Sequence, residues 1–184
     1  MQKLIYAFNF SQLMDLYELK HDIELTPGIA KFFGMFQDNR RKLNRILEGV
    51  TDEMVDFTPK EENIESIGTL LYHIAAVEIG WIFYDIDKQE LDDNKWKYGF
   101  ATRDENLKQL TGKGLQFYRD MLQDVRNQIF ERFKKFSDDD LKRVVESEGE
   151  NFTIEWIFFH LINHEAMHTG QISLLKRLCN LQKQ

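Results

Sequence analysis

An all-α four-helix bundle is the fold this sequence predicts, and three observations carry it. Two prolines and ten glycines in 184 residues leave long stretches without a helix breaker. Apolar residues recur at helical spacing in four separate segments. Hydrophobic residues make up 42% of the chain and aromatics 13%, enough to bury the core of one domain spanning residues 1–184.

The first helix is expected to follow Thr26-Pro27-Gly28, where Thr26 can cap and Pro27 sits at a position whose missing N–H loses nothing. Its stripe is Ile29, Phe32, Phe33, Phe36, Leu43, Ile46, Leu47 and Val50. The gap between Phe36 and Leu43 turns Asn39 or Arg40 inward, read here as a side chain snorkelling out at a bundle edge. Residues 51–65 read as a connection. The second helix runs from about Ser66 to Asp87, with Leu70, His73, Ala76, Val77, Trp81 and Tyr84 on one stripe.

Residues 88–104 are charged and turn-like but hold Trp96, Tyr98 and Phe100, aromatics that pack back onto the fold or form a lid. The third helix is expected over Asn106–Phe136, with Leu115, Tyr118, Leu122, Val125, Ile129, Phe133 and Phe136 inward and Gly112 and Gly114 weakening its start. An acidic run, Ser137-Asp138-Asp139-Asp140, and the stretch Glu146 to Asn151 read as linker. The fourth helix starts near Thr153, a cap with Glu155 in the first turn, and reaches about Leu178. Residues 1–25 read as an N-terminal arm or an extra short helix.

Net charge is −7 and the pI is about 5.3, with no run of lysine and arginine, so nucleic acid and anionic membranes are poor partners. The one cysteine, Cys179, allows no internal disulfide. The apolar patch in Met1–Phe10 is too short for a signal peptide, and no segment reads as a membrane span of roughly 18 or more apolar residues. A soluble cytoplasmic protein is the expectation.

Chemistry concentrates in histidines. His160, His164 and His168 step by four along the last helix and so share one face, among Ile157, Leu161, Ile172 and Leu175. Buried neutral imidazoles each need a partner, and a shared metal ion supplies one. Residues 164–168, His-Glu-Ala-Met-His, match the H-E-x-x-H pattern of zinc peptidases. Those enzymes take a third ligand downstream, and Thr169–Gln184 contains no Asp, Glu or His. The third ligand is therefore sought upstream, in His73 on the apolar stripe of the second helix. His160, a further turn away, reads as pocket wall. Glu165 is the candidate acid/base group. Glu78 and Glu155 read as solvated helix face, Gln171 as a hydrogen-bonding partner for a ligand or bound water, and His21 as exposed.

The segment Ser66–Trp81, with His73, Glu78 and Trp81, resembles the second-helix motif of the DinB/YfiT-like superfamily. The segment from His160 through His164, His168 and Gln171 to Ile172 resembles its fourth-helix motif. The likeness covers roughly residues 29–180. It implies an up-up-down-down-type bundle, a divalent metal (nickel or zinc) on His73, His164 and His168, and a homodimer. Characterised relatives use low-molecular-weight thiols as transferases or isomerases, and others are hydrolases. The arginine often following the second histidine of the fourth-helix motif is Thr169 here.

A metal with three protein ligands keeps an open position, as catalytic zinc does. The expected function is therefore a metalloenzyme acting on a small molecule, by thiol transfer or by metal-assisted hydrolysis. The rival is a non-catalytic dimeric bundle whose metal is structural or vestigial.

Overall fold

The structure is a computed structural model that describes residues 19, 22–59, 64–100 and 110–182. Four long helices form a bundle: α1 (Pro27–Ile46), α3 (Ile67–Ile79), α5 (Leu115–Phe133) and α6 (Ile154–Gln182). Shorter pieces decorate the connections, α2 (Asp52–Val55) before α3 and α4 (Asp93–Trp96) before α5. The α3 helix widens into a π-helical segment over Gly80–Ile86, and α4 runs on into a 3-10 turn, Lys97–Phe100. His21, most of the expected N-terminal arm, and residues 106–109 at the expected start of the third helix lie outside the described residues.

Side-chain contacts fix the direction of each helix. Asn39 donates to the Ile162 carbonyl (2.6 Å) and Lys176 to that of Ile46 (2.9 Å), so α1 and α6 run parallel. Phe33 packs on Phe130 (4.9 Å) while Arg119 donates to the Leu47 carbonyl (3.2 Å), so α5 opposes α1. Arg126 meets Glu78 and Arg132 meets Asp87, both at 2.6 Å, so α3 and α5 run together. The bundle thus has two parallel pairs, α1 with α6 and α3 with α5; the resemblance implies an up-up-down-down type, and in chain order these helices read up-down-down-up. Between these two parallel helices, the 93–100 segment lies against α3.

Sequence explains most of the ends. Ser66 accepts from the Thr69 N–H (3.1 Å) and caps α3. Thr153 accepts from the Trp156 N–H (3.1 Å) at the start of α6. Thr26 makes no cap to α1. Asp138, 110 residues along, accepts from the Gly28 N–H (2.9 Å) and from the Thr26 hydroxyl (2.5 Å). The acidic run read as linker thus supplies a cap from a distance, and those two bonds hold the Asp138 carboxyl below its ordinary range.

Three expectations are corrected. The stretch around Glu146–Asn151 is a hairpin, Val144–Ser147 paired antiparallel with Glu150–Thr153. Its turn residues Glu148 (φ 51°) and Gly149 (φ 84°) both lie in the left-handed region, as a two-residue hairpin turn requires. The α3 helix is buried on every side rather than along one stripe, from Ile67 through Ile79. Its segment Ile67–Ile86, with mean hydropathy 1.4, is long and apolar enough to cross a membrane, but 78% of that window is buried inside the bundle. The span is the core helix that the other three surround.

Candidate metal centre

The α3 and α6 helices run antiparallel, and where they cross, His73 faces His164 and His168. The His73 and His168 Nε2 atoms each lie 3.1 Å from His164 Nε2. One ligand atom from each of the three falls within 4.8 Å of the others, and no larger group of this kind occurs among the described residues. His73 (5% exposed) and His168 (7%) are buried, whereas His164 is half-buried and marks the open side.

The outer nitrogens explain why the inner ones converge. His73 Nδ1 donates to the Gly99 carbonyl (2.6 Å), and His168 Nδ1 donates to Gln171 Oε1 (2.6 Å). Both rings are thereby held in the tautomer that leaves Nε2 bare, and both bare nitrogens point at His164. A single cation satisfies all three. Two nitrogens about 2.0–2.1 Å from one ion lie roughly 2.9–3.3 Å apart for octahedral to tetrahedral angles, which brackets the 3.1 Å found here. The donor set therefore fits a divalent ion. Burial pushes the His168 imidazole below its ordinary pKa, against the smaller upward pulls of Gln171 and the Glu65 carboxylate, and so favours the neutral ring a ligand must be.

His160 stands one turn outside the triad, its ring 5.9 Å from His164 and stacked on Trp156 at 5.1 Å and 7°. Trp81 closes the same cluster, 5.6 Å from His160 and 5.2 Å from Phe152 of the hairpin. These aromatics wall one flank of the triad. The other flank is closed by the 93–100 segment, whose Trp96 is buried against Tyr72. Trp96 and Tyr98 both pack onto the fold through Tyr72.

Glu165 has a different place from the one its sequence neighbours suggest. It is 1% exposed, and both its oxygens are taken by arginines, Oε1 by Arg40 Nε (2.5 Å) and Oε2 by Arg126 Nη2 (3.1 Å). Glu78, expected on a solvated face, is 1% exposed and binds the same two arginines at 3.1 and 2.6 Å. Arg40, expected to snorkel outward, is the third corner, and Arg126, not singled out from sequence, is the fourth. Each of the four long helices contributes one member, and the formal charges sum to zero. Burial opposes the Arg40 charge, but the Glu78 and Glu165 carboxylates more than offset it and raise its pKa. A carboxylate clamped in this way is poorly suited to exchange protons with a substrate. The sequence offered one signal for the network, the polar gap at Asn39-Arg40 inside an otherwise apolar stripe.

Comparison with known proteins finds relatives that share the bundle. The chain is 22% identical over 158 residues to YkkA of Bacillus subtilis (strain 168), covering 84% of this chain and 89% of that protein. The crystal structure of a DinB-like protein from Bacillus cereus ATCC 10987 superposes with a TM-score of 0.61 at 18% identity, covering 80% of this chain and 91% of that one. YfiT from Bacillus subtilis, described as a probable metal-dependent hydrolase with an unusual four-helix bundle topology, superposes with a TM-score of 0.62 at 16% identity, covering 89% and 94%. Those likenesses establish the shared bundle. Residues 31–180, most of the 184, match the family model described as Mycothiol-S-transferase. The chain belongs to that family, within the DinB/YfiT-like superfamily.

Proposed function

We propose that His73, His164 and His168 hold one divalent metal ion, nickel or zinc, and that the site transfers a low-molecular-weight thiol to a small electrophile. The observation that carries this reading is the convergence of three Nε2 atoms, two of them fixed as bare acceptors by their outer hydrogen bonds. The ion, when bound, supplies the lowered pKa that makes a thiol or a water nucleophilic at neutral pH. The chain's own residues do the rest. Burial favours the neutral His168 ring, His164 forms the open side, and Trp81, Trp156 and His160 screen one flank from water.

Family membership favours thiol transfer over hydrolysis. Glu165 keeps a structural part. With three protein ligands the site retains an open position, which separates this reading from a structural or vestigial metal.

The remaining partner is a second copy of the chain. Phe159 (57% exposed), Met167 (56%), Leu174 (53%) and Leu181 (65%) line the outer face of α6 and offer it an apolar surface. A cytoplasmic setting, where such thiols are held reduced, completes the reading.

The test is elemental analysis of the purified protein and of His73→Ala, followed by assay with low-molecular-weight thiols and a fluorogenic electrophile. One metal per chain, lost in the variant, with metal-dependent conjugation, is the expected result. Metal retention by His73→Ala would sink the ligand assignment. Metal-dependent hydrolysis without conjugation would replace the transferase reading. Sedimentation of the wild type as a monomer would remove the dimer.

A further inference from the structure

We propose that Gly99 is a positioning residue for His73, acting through the space its missing side chain leaves. A Cβ built at Gly99 would lie 2.1 Å from the Ala76 Cβ, a separation real side chains do not adopt, while its next neighbours, Tyr72 Cδ1 and the Tyr72 carbonyl, would sit at an ordinary 3.4 Å. The Gly99 backbone is not left-handed, so space alone forbids a side chain there. That close approach brings the Gly99 carbonyl to 2.6 Å from His73 Nδ1.

The rest of the segment is built to hold it there. Trp96 is buried and packs edge-on against Tyr72 at 6.0 Å, and the Tyr72 hydroxyl donates to the Lys95 carbonyl. Tyr72, His73 and Ala76 all belong to α3, so one helix presents the anchor, the ligand and the small residue that makes room. Because the Nδ1 proton is held on Gly99, the Nε2 lone pair is the one turned to the triad. This inference rests on the reading of His73 as a metal ligand, but the tautomer it predicts exists without metal.

The experiment compares wild type, Gly99→Ala, Ala76→Gly and the double variant. Nickel and zinc chloride are titrated against a chelator, and the His73 ring nitrogens of the metal-free proteins are followed by nitrogen NMR. Loss of the outer hydrogen bond is expected to weaken metal binding about 10- to 100-fold in Gly99→Ala. The double variant, with the colliding methyl removed, should return to the wild-type value, and Ala76→Gly alone should bind as wild type does. The His73 Nδ1 proton should be present in wild type, lost in Gly99→Ala and present again in the double variant.

Undiminished binding in Gly99→Ala, or a double variant as weak as Gly99→Ala, would overturn the proposal. Where Gly99→Ala fails to fold, a folded double variant carrying the Nδ1 proton supports it. A double variant without that proton, or without a fold, overturns it. Wild type that binds neither metal yet shows the expected NMR series would sink the metal reading and leave the role of Gly99 standing.

Discussion

Replacing Glu165 by Gln separates the two parts this residue could play. The substitution keeps the shape and removes one negative charge from a network that is 1–2% exposed at Glu78, Glu165 and Arg126 and 6% exposed at Arg40. The amide oxygen can still accept from one guanidinium, but its NH2 group then faces the other, donor against donor. Two arginines are left with one carboxylate between them, and Arg126 Nε and Nη1 already have no hydrogen-bond partner, resting instead over the Phe36 ring at 5.0 Å. Breaking a buried pair in this way destabilises by about 3–5 kcal/mol. For a domain of this length that corresponds to a fall in melting temperature of roughly 6–20 °C. Urea unfolding at pH 7, followed by tryptophan fluorescence, reads the change directly. Glu78→Gln should behave alike, because Glu78 contacts the same two arginines. Glu165→Gln within about 0.5 kcal/mol of wild type, but inactive, would refute the structural account and restore Glu165 as the base.

Three further outcomes follow from particular contacts. The metal-free protein should lose stability as pH falls below about 6.5, because the unfolded chain protonates His168 first while burial holds the folded imidazole at a lower pKa; His168→Gln should flatten that limb in a pH series of urea midpoints. Gly68→Ala would set a Cβ 2.7 Å from the Tyr118 hydroxyl and 3.0 Å from Val55 Cγ1, and overpacking there should destabilise by about 1–3 kcal/mol, read as a lower urea midpoint at unchanged m-value. Asp52→Ala removes the carboxylate that accepts from the Leu115 N–H (2.8 Å) at the start of α5 and should destabilise by about 1 kcal/mol, with hydrogen exchange faster in the first turn of that helix than elsewhere.

The helices were legible because their apolar positions repeat at helical spacing, and the third-helix face from Leu115 to Phe136 is buried at every position named. The juxtaposition of His73 with His164 and His168 was reachable from the empty stretch after His168 and the apolar setting of His73. The hairpin was not, since four-residue strands with polar ends carry too little alternation to stand out from a linker. Nor were the long-range caps, because Asp138 and Asp52 act on helices far away in sequence and look, locally, like ordinary loop carboxylates. The ion pairs of Glu165 were hidden for a related reason. Sequence places it beside two histidines, but neighbours on a helix point about 100° apart, so a residue adjacent to a ligand is turned from the site its neighbour serves.

That rotation makes the two clusters interdependent. His164 and Glu165 are consecutive on α6, and His73 and Glu78 lie little more than a turn apart on α3. The histidines use one side of this antiparallel pair and the carboxylates the other. The carboxylates are clamped by Arg40 from α1 and Arg126 from α5, so the register of α3 against α6 is set by four ionic contacts between 2.5 and 3.1 Å. A slip of one residue would move each carboxylate off its guanidinium and leave buried charges unpaired, a far larger penalty than any apolar mispacking of the same size. The same slip would separate His73 from His164. Glu78→Gln should therefore weaken metal binding as well as stability, although the partners of its carboxylate are Arg40 and Arg126. A variant equally destabilised by a distant core cavity, such as Ile29→Ala, should retain wild-type metal affinity while folded. Equal affinity in the Glu78 and Ile29 variants would show that the network supports the fold and leaves the site alone.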